Sequence, residues 1–199
     1  MLWRHGQTVW NAEGRFQGQS DIPLDPTGEA QAERAARLLA GLRPDAIISS
    51  DLRRATATAA PLARISGLTV TLDKDLRERY GGAWEGLNDA QIRERYPAEH
   101  AAWAPPDGES LAAVGERVAG VLQRVADGLP AGALAVVVSH GAAIRTGLSR
   151  LLGLPDELWG ALGPLANCAW SVAGLRRGAW RLLEHNAGTL PEPVLGDDR

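Results

Sequence analysis

Residues Ala133 to Ser139 read ALAVVVS, an unbroken apolar run that ends in Ser-His-Gly. Such a run, without polar alternation, predicts a strand buried on both faces, as in a parallel sheet. Asp45–Ser49 (DAIIS) and Leu68–Leu72 (LTVTL) predict two more strands of that kind. Between them the apolar positions recur with helical spacing. Pro26 and Thr27 open one helix that runs to about Leu42, with Ala32, Ala35, Ala36, Leu38 and Leu39 as its apolar positions. Arg53–Ile65 predicts a second helix. Ser110 is the N-cap of a third that reaches about Asp127. Ala142–Leu152 predicts a fourth, stopped by Gly153 and Pro155. Cys168–Ala173 and Trp180–His185 flank a turn with Gly and Arg and predict a hairpin.

Strands alternating with helices imply an α/β sandwich with a mainly parallel sheet. Ligands in such folds bind beyond the carboxyl ends of the strands. The residues at those ends are chemically rich. Arg4 and His5 follow the first apolar residues; Ser50, Asp51, Arg53 and Arg54 follow DAIIS; Glu78 comes shortly after LTVTL; His140 follows VVVS. The chain has 199 residues, which fits a single domain, and its formal charge is −3. That balance gives no reason to expect nucleic acid or an anionic membrane as partner. No apolar run is long enough for a transmembrane helix, and the first residues lack the apolar core of a signal peptide. A cytoplasmic protein is the default expectation. Cys168 is the single cysteine, which excludes an intramolecular disulfide and a cysteine-rich zinc site.

Arg4, His5, Arg54, Glu78 and His140 together suit phosphoryl transfer. Two guanidinium forks match phosphoryl oxygens. Their positive field disfavours an imidazolium between them and leaves a neutral, nucleophilic ring. A second histidine can donate to a non-bridging oxygen, and a carboxylic acid can protonate the leaving alkoxide. The bland alternatives are ordinary: a histidine after a strand is more often structural, and an arginine beside it is usually part of a surface ion pair. Two histidines and a glutamate can also ligate zinc. Arg4 beside His5 repels a dication, so no metal and no other cofactor is expected. His100 and His185 read as solvent or packing residues.

At these positions the chain resembles a known family. RHGQTVWN (Arg4–Asn11), SSDLRRATATA (Ser49–Ala59), LRERYGGAWEG (Leu76–Gly86) and VSHG (Val138–Gly141) are similar, in order, to four motifs of the histidine phosphatase superfamily. The resemblance implies a three-layer α/β sandwich with a mixed, mainly parallel six-stranded sheet and helices on both faces. It implies that His5 is the phosphorylated nucleophile and Glu78 the proton donor, with Arg4, Arg54 and His140 completing the phosphate pocket. Asn11, Gln17, Gly18 and the amide of Gly141 fall where relatives line that pocket. Relatives are often dimeric, so a homodimer is compatible with it.

Mutases of the family resemble RHGES and HGNS where this chain has RHGQT and HGAA, and they offer a lysine near Asp89. These departures favour hydrolysis over mutase action, and the presence of both His5 and Glu78 argues against a non-catalytic phosphate-binding protein. Arg79, beside the acid, suits a substrate carboxylate. Trp84, Tyr96, Trp103 and Ala104–Ser110 are expected to wall the pocket, with plain packing the simpler role for Trp84. SSDLRRA, WAPPDGES and LGPLANCAW resemble the branch whose substrate is a sugar-linked phosphoglycerate, such as glucosyl-3-phosphoglycerate; broad-specificity and α-ribazole phosphatases share the same core. Only Met1, Leu2 and Trp3 precede Arg4, so either the first strand is clipped or the native chain begins earlier than this numbering. The domain is expected to span residues 1–190, with a polar, disordered tail at 191–199.

Overall fold

The computed structural model describes residues 1–188, so the tail expected at 191–199 lies outside the described residues. Strands β1 (Leu2–Arg4), β2 (Ala46–Ser49), β3 (Val70–Leu72), β4 (Ala135–Ser139), β5 (Trp170–Arg176) and β6 (Ala179–Ala187) form one sheet in the order β3-β2-β4-β1-β5-β6. The β3–β2, β2–β4 and β4–β1 pairs are parallel, whereas β1–β5 and β5–β6 are antiparallel. The hairpin turn at Arg177 and Gly178 has φ of 53° and 75°, the doubly left-handed backbone that matches strand twist in a two-residue loop.

Helices α1 (Val9–Ala12), α2 (Pro26–Gly41), α3 (Arg53–Ser66), α4 (Asp89–Arg95), α5 (Pro97–Ala102), α6 (Leu111–Asp127) and α7 (Gly141–Leu151) complete the described fold, with three short 3-10 turns. The four long helices fall within two residues of their expected bounds. Their caps explain this. Asp25 accepts from the Gly28 N–H at the start of α2, and Ser110 accepts from the Ala113 N–H at the start of α6.

The two faces of the sheet separate cleanly by strand alternation. Trp3, Ile47, Val136 and Val138 pack with Ala32, Ala36 and Leu39 of α2 and Ala55, Ala59 and Leu62 of α3. Leu2, Ile48 and Val137 pack with Val114, Val118 and Val121 of α6 and Ala143, Ile144 and Leu148 of α7. Successive strand residues point to opposite faces, so each central strand feeds both layers.

One expectation needs correction. LTVTL is not buried on both faces: β3 covers only Val70–Leu72 and lies at the edge of the sheet, with Thr71 and Leu72 exposed. Its alternating threonines are the signature of an edge position that the apolar count obscured. The first strand, though short, is paired on both sides, with Leu2 opposite Val137 and Ser171. The Met1 carbonyl continues the ladder by accepting from the Val137 N–H at 2.8 Å.

Candidate active site

β1 and β4 are neighbours, yet the first long helix after β1 covers one face and the helix after β4 covers the other. The crevice between such strands, at their carboxyl ends, is where this class of fold binds ligands. His5 and His140 meet there with ring centroids 5.1 Å apart. Arg4, His5, Arg54, Glu78 and His140 are each at most 5% exposed, so the cluster expected from the sequence is assembled and largely buried.

His5 is fixed by its own loop. Its backbone N–H donates to Ser139 O at 3.0 Å, which pins it against β4. Its Nδ1 lies 2.7 Å from the Gly6 carbonyl. A carbonyl only accepts, so Nδ1 carries the proton, and the lone pair of the neutral ring is on Nε2. Burial first, then Arg54 and Arg4, hold His5 well below the usual histidine value. The ring is therefore neutral near pH 7, and burial contributes more to that than the arginine field expected from sequence. Gly6 allows the tight loop: a Cβ there would lie 2.5 Å from Gly28 O, and its N–H donates to Thr58 Oγ1 at 3.0 Å.

Arg54, in the first turn of α3, organises three sides of the pocket. Its Nη1 and Nη2 donate to Ser20 O at 2.7 Å and Gly18 O at 2.6 Å. Its Nε donates to His140 Nδ1 at 3.1 Å. His140 Nε2 lies 2.9 Å from Ser50 Oγ. With Nδ1 an acceptor, neutral His140 is the Nε2–H tautomer, donating to Ser50. Burial and the nearby Arg54 hold His140 well below the usual value. Arg4 donates through Nη1 to the Leu165 carbonyl.

The amide residues face the same centre. Thr8, the N-cap of α1, directs its backbone N–H to Asn11 Oδ1 at 3.1 Å and its hydroxyl to Gln17 Oε1 at 2.9 Å. Asn167 Nδ2 donates to His5 O at 3.1 Å. With their oxygens so occupied, Asn11 Nδ2 and Gln17 Nε2 are buried donors that make no hydrogen bond. Buried donors of this kind are costly unless an acceptor joins them. Gly18 holds this side of the pocket through its backbone. Its carbonyl serves Arg54, its φ is 53°, and a Cβ would lie 2.1 Å from Glu85 Oε1. Glu85 closes this loop by accepting from the Gln19 N–H at 2.8 Å and the Ser20 hydroxyl at 2.6 Å.

Glu78 reaches the N-terminus of α7, where Gly141 is the first residue. Its Oε1 accepts from the N–H groups of Arg79 at 2.8 Å and Ala143 at 2.9 Å; its Oε2 accepts from Ala142 at 3.1 Å. Helix N–H groups attract a carboxylate. Arg117 of α6 fastens the segment that carries Glu78, donating to the carbonyls of Asp75, Arg77 and Glu78 at 2.8, 2.6 and 3.0 Å. Glu109 takes two hydrogen bonds from Arg117, at 2.9 and 2.8 Å, and one from the Tyr80 N–H at 2.8 Å.

Trp84 is fully buried and packs edge-on to Phe16 and Trp103, so its role is packing. Trp103 lines a hollow beside Glu78, while half-buried Tyr96 packs against the Phe16–Trp84 cluster. Asp89 does not act on the pocket: it is exposed and bonded to His100 Nε2 at 2.9 Å. His185 joins Ser171 Oγ and Gly163 O. Among the described residues, no group of three or more His, Cys, Asp or Glu is arranged to hold a metal ion, and no helix is long and apolar enough to cross a membrane.

The family model of the histidine phosphatase superfamily (branch 1) matches residues 1–188. The chain belongs to this superfamily. As a histidine phosphatase it is similar to the glucosyl-3-phosphoglycerate phosphatase of Mycolicibacterium vanbaalenii, at 39% identity over 190 residues, 89% of this chain and 84% of that one. It is also similar to a probable phosphoglycerate mutase of Yersinia enterocolitica, at 38% identity over 186 residues, 90% of this chain and 86% of that one. The solved structure of mycobacterial glucosyl-3-phosphoglycerate phosphatase with VO3 superposes with a TM-score of 0.88 at 37% identity, covering 94% of this chain and 98% of that one. This histidine phosphatase is a hydrolase of the phosphatase class, with the six-stranded α/β fold of its relatives.

The strand-end reading includes Ser50, and the expected wall at 104–110 includes Glu109, but Glu85, Arg117 and Asn167 are not among the site residues expected from sequence. They orient other groups, and the strand-end rule that finds Arg4 or His140 does not reach helix and loop residues remote in sequence.

Proposed function

We propose that this histidine phosphatase hydrolyses phosphomonoesters through a phosphohistidine on His5 Nε2. The observation that carries the reading is the bond from His5 Nδ1–H to Gly6 O, which leaves Nε2 as the lone pair of a neutral ring. In the first step Nε2 attacks phosphorus and the P–O ester bond breaks. The leaving oxygen takes a proton from the Glu78 carboxyl group, whose Oε2 faces the N-terminus of α7 at the Ala142 N–H. In the second step Glu78 takes a proton from water, whose oxygen attacks phosphorus. The P–N bond breaks, which releases phosphate and restores neutral His5. Arg4, Arg54, Asn11 Nδ2, Gln17 Nε2 and the Gly141 N–H are the proposed donors to the phosphoryl oxygens, and His140 supports the transferred group. No metal or organic cofactor enters the proposal.

The proposed substrate is a sugar-linked phosphoglycerate such as glucosyl-3-phosphoglycerate. The support is the relatives of that name and an aromatic wall at Trp103. We place the enzyme in the cytoplasm, and the reading is compatible with a homodimer. The test is a panel of phosphomonoesters assayed with EDTA present, joined to rapid-quench labelling. Wild type should turn over and trap an acid-labile phosphoenzyme; His5→Ala should do neither. Labelled His5→Ala protein would overturn the assignment.

The similarity to a probable phosphoglycerate mutase supports a second reading. Interconversion of 2- and 3-phosphoglycerate faster than phosphate release would favour it.

A further inference from the structure

Residues 163–169 lead into β5 as a strap that touches three pocket residues at once. The Leu165 carbonyl accepts from Arg4 Nη1, and the Ala169 carbonyl accepts from the Arg4 N–H at 2.9 Å. The Cys168 N–H donates to the His5 carbonyl at 3.2 Å. Asn167 Nδ2 donates to that same carbonyl at 3.1 Å and to Asn11 Oδ1 at 3.3 Å. The peptide between His5 and Gly6 is thus held at both edges, since the Gly6 N–H donates to Thr58 Oγ1 at 3.0 Å. β6 fastens the strap from the other side. His185 Nε2 lies 2.8 Å from the Gly163 carbonyl, which makes it the donor, and Asn186 Oδ1 accepts from the Ala166 N–H at 2.8 Å. Asn186 has left-handed backbone, with φ of 54°, where the β5–β6 register shifts.

Two backbone groups decide how the side-chain amides are turned. The His5 carbonyl only accepts, so Asn167 shows it a nitrogen, and that nitrogen in turn requires an oxygen from Asn11. The Thr8 N–H only donates, and it too requires the Asn11 oxygen, at 3.1 Å. Asn11 Nδ2 is left on the other side, buried and without a hydrogen bond among the described residues. The inference rests on the reading of this pocket as a phosphate site in which Asn11 Nδ2 is a donor. We propose that Asn167 is a positioning residue, which keeps the Asn11 amide turned with its nitrogen toward the phosphoryl oxygens and its oxygen away from them. The same amide turned over sets an oxygen against the phosphate, so its direction decides between attraction and repulsion. A donor fixed in advance needs no reorientation when the anion arrives. His185 and Asn186 take part at a distance, because they hold the strap that carries Asn167.

The experiment measures the inhibition constant of orthophosphate against p-nitrophenyl phosphate, with Asn167→Asp made both in wild type and in Asn11→Ala. The new carboxylate offers only acceptors to the His5 carbonyl and to Asn11, which favours the turned-over amide. In wild type the constant should rise about tenfold or more, the scale of one hydrogen bond to a charged group. In Asn11→Ala the same substitution should raise it by no more than about threefold, because no amide is left to turn. A carboxylate that only repelled phosphate, or only loosened the fold, would cost as much without Asn11 as with it. Equal rises in the two backgrounds therefore overturn the proposal, and so does the absence of a rise in wild type. If Asn167→Asp does not fold, Asn167→Ala takes its place in the same set. It removes the donor without adding charge, and the Thr8 N–H still holds the Asn11 oxygen. The rise expected of it is about threefold in wild type and none in Asn11→Ala, judged by the same criteria. Wild type that neither hydrolyses p-nitrophenyl phosphate nor binds orthophosphate refutes the phosphatase reading instead, and the role given to Asn11 falls with it.

Discussion

His140 Nδ1 accepts from Arg54, and its Nε2–H is committed to Ser50. A neutral His140 has no N–H left for a phosphoryl oxygen. To donate to one through Nδ1, it must first gain a proton. A dianion in the pocket would supply the reason, because it offsets the field of Arg54 and Arg4 that keeps the ring neutral. Anion binding should therefore take up a proton. Sulfate is a suitable ligand because it brings no proton of its own near pH 7. Calorimetric titration in buffers of different ionisation enthalpy should give an uptake approaching one proton per site in wild type and much less in His140→Asn. Zero uptake in wild type would show that His140 stays neutral and does not donate. His5 carries a second prediction at this scale. Because it is held below the usual histidine value, acid should remove the free nucleophile only below pH 6.5. The acid limb of kcat/KM, corrected for substrate ionisation, reports that; a limb above pH 6.5 would contradict the neutral ring.

Helix α6 acts on the chemistry from outside the pocket. Arg117 donates to the Asp75, Arg77 and Glu78 carbonyls of the segment that presents Glu78, and Glu109 accepts from both Arg117 and the Tyr80 N–H. Arg117→Met should leave the phosphate pocket in place but loosen the acid. We expect about a tenfold loss in kcat for an alkyl phosphate and a smaller loss for p-nitrophenyl phosphate, whose leaving group needs little protonation. Equal losses on both would assign Arg117 to folding alone. The sequence made α2, α3, α6 and α7 legible because each has an amphipathic period and a clear start or stop. It made Arg4, His5, Arg54 and His140 legible because they follow buried strands. The clamp was not legible: Arg117 reads as one more charged position on an amphipathic helix, and Glu109 precedes its cap. The partner of Asp89 was not legible either, although Asn88 and Gln91 form a capping box that announces α4. That helix start places Asp89 within reach of His100.

Across the whole molecule, two buried histidines tie stability to pH. Both are bases held below their usual value in the folded state, while the unfolded chain binds protons near pH 6.5. As pH falls below 6.5, the unfolded state takes up protons that the folded state refuses, so stability is full above that value and declines below it. The expected slope is about 1.4 kcal/mol per pH unit for each histidine, until the folded forms also titrate. Urea unfolding between pH 7 and 5 should show this decline, and His5→Asn with His140→Asn should flatten it. An unchanged slope in the double variant would place the acid sensitivity elsewhere. The position of β1 has a consequence for synthesis. Leu2 pairs with Val137 and Ser171, so the strand leading to His5 is made well before its partners on both sides. Leu2 and Trp3 must wait, uncovered, until β4 and then β5 have followed them. A nascent chain halted before β4 emerges has a nucleophile but no sheet to hold it, so hydrolytic activity should appear only late in translation.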